Sequence, residues 1–216
     1  MIKHVIWDWN GTIVNDAPLF VEIMNQSLDA ALLPNITLDD YKNLFVFPVV
    51  DFWRKLGFKF NDKAFDKMNS RFINNYKKKM LLPKLHNNIQ DVFIHLAKLN
   101  IKQYVVSASE HQILKKCTNY YRVSSYFNDI VGVDNLNALG KEGVAKKLID
   151  RHSINVKNCL FVGDTPHDAD VAQSLGANAL LVSYGHIAKS RLYKTNCNIV
   201  DSVDDVLSYI INGANK

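Results

Sequence analysis

A chain of 216 residues that is 48% hydrophobic and 22% charged is long enough to bury a full core, and its composition excludes collagen-like, coiled-coil and disordered chains. Its formal net charge of +5 is spread over scattered lysines; the one run, Lys77-Lys78-Lys79, reads as a solvated helix end, so no nucleic-acid partner is expected and the charge serves to gather small anions. Three cysteines, Cys117, Cys159 and Cys197, lie too far apart in sequence for zinc or redox pairing, and the N-terminus carries neither a cleavable leader nor an apolar span; a cytoplasmic protein with no membrane contact and no obligate protein partner is expected.

In chain order, Val5-Ile6-Trp7 breaks into Asp8-Trp9-Asn10-Gly11-Thr12, as when a buried strand ends in a polar turn. Helical spacing follows from Ala17 to about Lys79. Leu19, Phe20, Ile23, Met24, Leu28 and Ala31 mark one apolar face, Thr37 with Asp39 and Asp40 marks a helix start, and Phe65, Met68, Phe72 and Tyr76 mark another face. Between them the segment Phe45-Val46-Phe47-Pro48-Val49 with Phe52 and Trp53 is read mainly as packing, with Phe47 the candidate pocket wall. A helix through Ile89, Val92, Phe93, Leu96 and Leu99 precedes a strand, Tyr104-Val105-Val106, ending at Ser107-Ala108. Ile130 to Val133 is a short strand, and Gly140-Lys141 is read as a loop before a helix. Cys159 to Val162 runs into Gly163-Asp164-Thr165-Pro166-His167-Asp168, Ala179 to Val182 runs into Ser183-Tyr184-Gly185-His186, and Val203 to Ile211 is helical.

Strands alternating with helices predict an α/β fold, a Rossmann-like doubly wound parallel sheet, with ligands outside the carboxyl ends of its strands. The helical stretch predicts an inserted cap, so that residues 1–16 and 81–216 form the core and 17–80 the cap. Asn15 and Asp16 are read as hinge or turn residues where the chain enters that cap.

Four elements in this order carry a resemblance: Asp-x-x-Gly-Thr at Asp8 to Thr12, Ser107, Lys141, and Gly-Asp-x-x-x-Asp at Gly163 to Asp168. Over nearly its whole length the chain resembles the haloacid dehalogenase superfamily, in particular its phosphatase branch with a helical cap after the first strand, such as phosphoglycolate phosphatase-like enzymes. The resemblance implies a magnesium-dependent phosphatase acting on a small phosphorylated metabolite through an aspartyl phosphate on Asp8. It implies Mg2+ held by Asp8, the carbonyl of Asn10, Asp164 and Asp168; catalysis by Asp8, Asn10, Ser107 and Lys141; and substrate contacts from Gly11, Thr12, Ser107, Ala108, Lys141 and Phe47. A carboxylate nucleophile splits one difficult hydrolysis into two steps, and a divalent cation offsets the repulsion between it and the phosphate.

Asn10 departs from the family, which usually has a second Asp there to protonate the leaving oxygen. An amide transfers no proton. The sequence therefore implies a slow phosphatase, a leaving group acidic enough to need little help, or another proton source; His167 and His186 are the nearest imidazoles. Deamidation of Asn10-Gly11 to an aspartate is a further route to activity. Two alternatives remain: cleavage of a carbon–phosphorus or other C–X bond within the same superfamily, with Lys42, Lys55 or Lys59 as imine-forming groups, and a phospholigand-binding regulatory module with little turnover. A serine-hydrolase elbow and a Walker loop are absent from the sequence.

Overall fold

The computed structural model describes residues 1–133 and 140–214. Its central strand, β1 (His4–Trp7), is apolar at consecutive positions because both faces are covered: Val5, Ile6 and Trp7 are at most 1% exposed, as a strand inside a parallel sheet requires. β2 (Lys102–Glu110), β3 (Asp129–Val133), β4 (Cys159–Gly163), β5 (Asn178–Val182) and β6 (Asn198–Val200) complete a parallel sheet of order β3-β2-β1-β4-β5-β6. The predicted α/β doubly wound sheet is thus present. β2 runs on through Ser107-Ala108-Ser109-Glu110, beyond its apolar run. β6 is an edge strand of three residues, too short to leave a period in the sequence.

The side chains of β1 alternate between two layers. Val5 and Trp7 pack with Phe93 and Leu96 of α5 (Ile89–Lys98) and Val206 of α10 (Val203–Ala214). Ile6 packs on the other side with Ala145 and Leu148 of α7 (Lys141–Arg151) and Val171 of α8 (Pro166–Ser174). α6 (His111–Tyr120) follows β2, and the short α9 (Lys189–Leu192) follows β5.

Between β1 and α5 lie four helices, α1 (Ala17–Ala30), α2 (Leu38–Leu44), α3 (Val49–Lys55) and α4 (Asp62–Lys79). Thr37 starts α2 through a capping box, its hydroxyl accepting from Asp40 N at 3.1 Å and its own N donating to Asp40 Oδ2 at 2.9 Å. Lys77, Lys78 and Lys79 fill the last turn of α4, where cations complement the helix carbonyls. Ala31, expected on the apolar face of α1, is its exposed C-cap. The helices dock on the sheet domain through Arg191, whose guanidinium donates to the carbonyls of Phe45 (2.6 Å) and Lys42 (3.1 Å), and through the Lys77–Glu110 pair at 2.8 Å. Among the described residues no helix is long and apolar enough to cross a membrane.

The strand order reverses between β1 and β4, and this is where an open parallel sheet leaves a crevice above its carboxyl edge. Trp7 is in register with Val162, so the residues that follow each strand meet across that crevice.

Candidate active site

Asp8 leaves the end of β1 with its amide donating to the Val162 carbonyl at 2.8 Å. Asp164 follows β4 and is fully buried. Asp168 is placed by a second capping box: Pro166 opens α8, and Asp168 Oδ2 accepts from the Thr165 amide (3.0 Å) and hydroxyl (2.7 Å). Its other oxygen is left to face the crevice. Oxygens of Asp8, Asp164 and Asp168 all lie within 4.8 Å of one another. Lys141, expected in a loop, is the first residue of α7 and only 4% exposed; its ammonium pairs with both Asp8 and Asp168.

One ammonium does not balance three buried carboxylates. Burial, reinforced by Asp168 and Asp164 and opposed by Lys141, pushes the Asp8 carboxyl up to about 8. Burial likewise raises Asp164 to about 6, against the pull of His186. Burial would also raise Asp168, but Lys141 and the Thr165 hydrogen bonds hold it below the ordinary value. Burial works against the Lys141 charge, yet Asp168 and Asp8 raise it above the ordinary lysine value. This is a site short of positive charge. Three oxygen donors of this kind suit a hard divalent cation, and the close fit around Asp164 supports that: a Cβ on Gly11 (φ +76°) or on Gly185 would collide with its carboxylate. Thr12 Oγ1 and the His186 amide orient the same carboxylate at 3.1 and 2.6 Å.

A pH dependence follows for protein stripped of divalent ions. Asp8 keeps a proton in the folded state up to about 8, whereas its ordinary value is 3.8. Between those limits the folded chain binds more protons than the unfolded chain, so stability is fully present below 3.8 and is lost as pH rises through about 8. Melting temperature in chelator is expected to fall steadily from pH 5 to pH 8; a flat or rising profile would contradict this assignment.

Asn10 does not point freely at this floor. Its Nδ2 donates to Asp16 Oδ2 (2.5 Å) and lies 2.8 Å from the Tyr76 hydroxyl, while its Oδ1 accepts from Ser109 Oγ at 2.7 Å. Asp16, read from sequence as a hinge or turn residue, is a fully buried hub. Besides Asn10 it accepts from the Gly11 amide (3.0 Å), the Tyr76 hydroxyl (2.9 Å) and His186 Nε2 (3.1 Å). His186 Nδ1 is 2.7 Å from the Tyr41 hydroxyl. Burial opposes an imidazolium there, but the bond and charge of Asp16, with Asp164 and Asp8, raise the His186 pKa above 6.5. A buried carboxylate with four donors and a cationic partner satisfies the usual demand on buried charge. Tyr41 and Tyr76 come from α2 and α4, so this hub joins the helical insert to the loop after β1.

The structure brings Ser107, Ala108, Lys141, Asp8, Asn10 and Phe47 together on one cavity of about 1120 Å³, with Asp164 and Asp168 in the same wall. Ser107 ends the apolar part of β2, and its Oγ accepts from Ser109 N at 3.0 Å. Gly11 and Thr12, expected at the substrate, lie outside that lining: the Gly11 amide donates to Val14 O and Asp16, and the buried Thr12 hydroxyl serves Asp164. Engagement of the Gly11 amide also opposes the backbone attack that deamidation of Asn10 requires. His167, the other imidazole considered, lies with its ring 5.3 Å from that of Phe47 and tilted by 41°, with Nε2 lacking a partner among the described residues; burial lowers its pKa. Lys42, Lys55 and Lys59 are absent from the cavity wall, and the Lys42 ammonium donates to Tyr184 O at 3.3 Å. Asp16, Ser109, Tyr41 and Tyr76 were not singled out for chemistry from sequence; their partners lie up to 170 residues away, beyond any local pattern.

Comparison with known proteins agrees with this architecture. Residues 5–182 match the family model described as haloacid dehalogenase-like hydrolase. The chain is 20% identical to a phosphoglycolate phosphatase of Aliivibrio fischeri, over 96% of this chain and 92% of that one. In structure it is similar to a haloacid dehalogenase-like family hydrolase of Streptococcus pneumoniae (TM-score 0.82, 16% identity, 96% and 98% covered). It is also similar to protein tyrosine kinase A of Mycobacterium tuberculosis (TM-score 0.81, 17% identity, 97% and 98% covered). Such different activities on one fold mean that the chemistry must be argued from the site itself.

Proposed function

The chain belongs to the haloacid dehalogenase-like hydrolases, and from that premise we propose that it is a magnesium-dependent phosphatase acting on a small phosphorylated substrate through an aspartyl phosphate on Asp8. The observation that carries the reading is the meeting of Asp8, Asp164 and Asp168 around a charge deficit beside Lys141. Asp8, Asp164, Asp168 and the Asn10 carbonyl would hold the cation. When bound, it supplies positive charge that lets carboxylate and phosphate approach.

An Asp8 oxygen attacks phosphorus, the bond to the leaving oxygen breaks, and water then hydrolyses the acyl phosphate. Lys141 keeps Asp8 oriented and puts an ammonium beside the oxygens that gain charge, with Ser107 as a hydroxyl donor from the end of β2. Residues 17–80 act as a cap that covers this floor and excludes water. Imine chemistry of the phosphonate-cleaving kind is disfavoured, because Lys42, Lys55 and Lys59 do not line the cavity.

Hydrolysis of p-nitrophenyl phosphate tests the reading. Turnover is expected with Mg2+, is lost in chelator and returns on adding the ion. Absence of turnover of both p-nitrophenyl phosphate and acetyl phosphate in the presence of Mg2+ would overturn it in favour of a phospholigand-binding module.

A further inference from the structure

We propose that this site, taken as the phosphatase centre argued above, is built for phosphate monoesters of phenols, with an uncharged aromatic group seated under the helical insert, and not for small esters that carry a second acid. Three independent observations converge on that class.

The first is the wall. Above the carboxylate floor the cavity is lined by Phe45, Phe47, Trp53, Phe65, Phe72 and Ile113. Only a substrate whose body is itself apolar displaces water from such a surface with a gain, and about 1120 Å³ is far more room than a two-carbon acid fills.

The second is charge. Two of the cations that reach this cavity are already neutralised, Lys141 by Asp8 and Asp168 and Arg54 by Asp51 at 3.0 Å, while the Arg191 guanidinium keeps its charge but is held on the carbonyls of Phe45 and Lys42. Asp66 and Asp170 are also in the lining and have no ion-pair partner among the described residues. A carboxylate on the substrate tail would meet repulsion with little to offset it.

The third is the fate of the leaving oxygen. Asn10 has no proton to transfer, and both ends of its amide are engaged by Asp16, Tyr76 and Ser109. The Tyr76 hydroxyl donates to Asp16, and both ring nitrogens of His186 are occupied by Tyr41 and Asp16. His167 also lines the cavity with Nε2 unpartnered among the described residues, but its burial against Phe47 lowers its pKa and favours the neutral ring. The leaving group therefore departs unassisted: an Asp8 oxygen bonds to phosphorus, the phosphorus–oxygen bond breaks with its electron pair on the aryl oxygen, and the phenolate takes its proton from water afterwards. A phenol ionises near about 10, as tyrosine does, and an aliphatic alcohol is far less acidic, so a phenolate leaves where an alkoxide does not.

Specificity constants with Mg2+ for a series of substituted phenyl phosphates, naphthyl phosphate, n-hexyl phosphate, 2-phosphoglycolate and acetyl phosphate test the proposal. Aryl esters are expected to exceed both hexyl phosphate and 2-phosphoglycolate by about 100-fold or more, the scale of a missing acid catalyst, and to fall steadily as the leaving phenol becomes less acidic. Equal or better turnover of hexyl phosphate or 2-phosphoglycolate, with acetyl phosphate hydrolysed, overturns the substrate class and leaves the phosphatase reading standing. Failure on every ester including acetyl phosphate overturns both.

Ile73→Arg, on the half-buried side of α4 at the cavity, puts a new cation beside the tail. It is expected to cut the preference for naphthyl phosphate over 2-phosphoglycolate at least tenfold in protein with an unchanged melt. An unaltered ratio would mean that the aryl group binds elsewhere, against the proposal.

Discussion

Asp8→Asn is expected to lower p-nitrophenyl phosphate turnover by about four to six orders of magnitude, the scale seen when a hydrolase loses its nucleophile, while raising the melting temperature of the metal-free protein. The two effects have one origin. Asp8 is nearly buried beside Asp168 and Asp164 with only Lys141 to balance them, and its carboxyl is pushed up to about 8. An amide of the same shape cannot attack phosphorus, but it removes a carboxylate that the fold holds against its ionisation. The stability gain should be absent near pH 4, where Asp8 is protonated in the folded protein anyway, and grow toward pH 8. Turnover assays with thermal melts at several pH values check both parts; unchanged turnover would remove Asp8 from the reaction, and a gain independent of pH would show that charge is not its source.

The second large effect concerns the pair Asn10 and Asp16. Asn10→Asp alone sets one carboxyl against another, at the position where Asn10 Nδ2 now lies 2.5 Å from Asp16 Oδ2. Two such groups share a proton or repel, and the loop after β1 loses the bond that orders it. The double exchange Asn10→Asp with Asp16→Asn restores one amide and one carboxyl in the same contact, with the acid now on the side facing the cavity. For n-hexyl phosphate the exchange is expected to raise kcat/KM by about 10² to 10⁴-fold, the usual contribution of positioned proton transfer. Aryl phosphates should change little. A new limb at high pH, where the acid loses its proton, should accompany the gain. No gain in a well-folded double variant would show that proton supply does not limit alkyl esters.

The fold was legible where apolar runs meet polar turns. Val5-Ile6-Trp7 before Asp8 and Cys159 to Val162 before Gly163 announce buried parallel strands, because a strand covered on both faces needs no alternation. The spacing of Phe65, Phe72 and Tyr76 announced α4, and Thr37 announced the start of α2. β6 was not legible, since three edge residues, Asn198 to Val200, carry no period. Asp8, Asp164, Asp168 and Lys141 could be gathered into one candidate set because each ends a strand or opens a helix at the same edge of the sheet. Asp16 could not: its ligands, Asn10, Tyr76 and His186, belong to three separate segments. Tyr76 read as an apolar-face residue, since nothing in a helical period tells a packed ring from a ring whose hydroxyl has work at its far end, and Tyr41 carried no signal in the sequence. Gly11 and Thr12 were placed at the substrate by motif, whereas their polar groups face inward to Asp16 and Asp164.

The wiring around Asp16 also governs how this chain can diverge. Asn10, Tyr76, His186 and Tyr41 each complete a hydrogen bond that another member of the set has left open, and residues in one such network do not contribute additively. Any solitary substitution strands a donor or a charge away from water, whereas a matched pair strands neither. Descendants of this sequence should therefore change these positions in couples, and a library that varies them one at a time will record intolerance at sites that are freely exchangeable together.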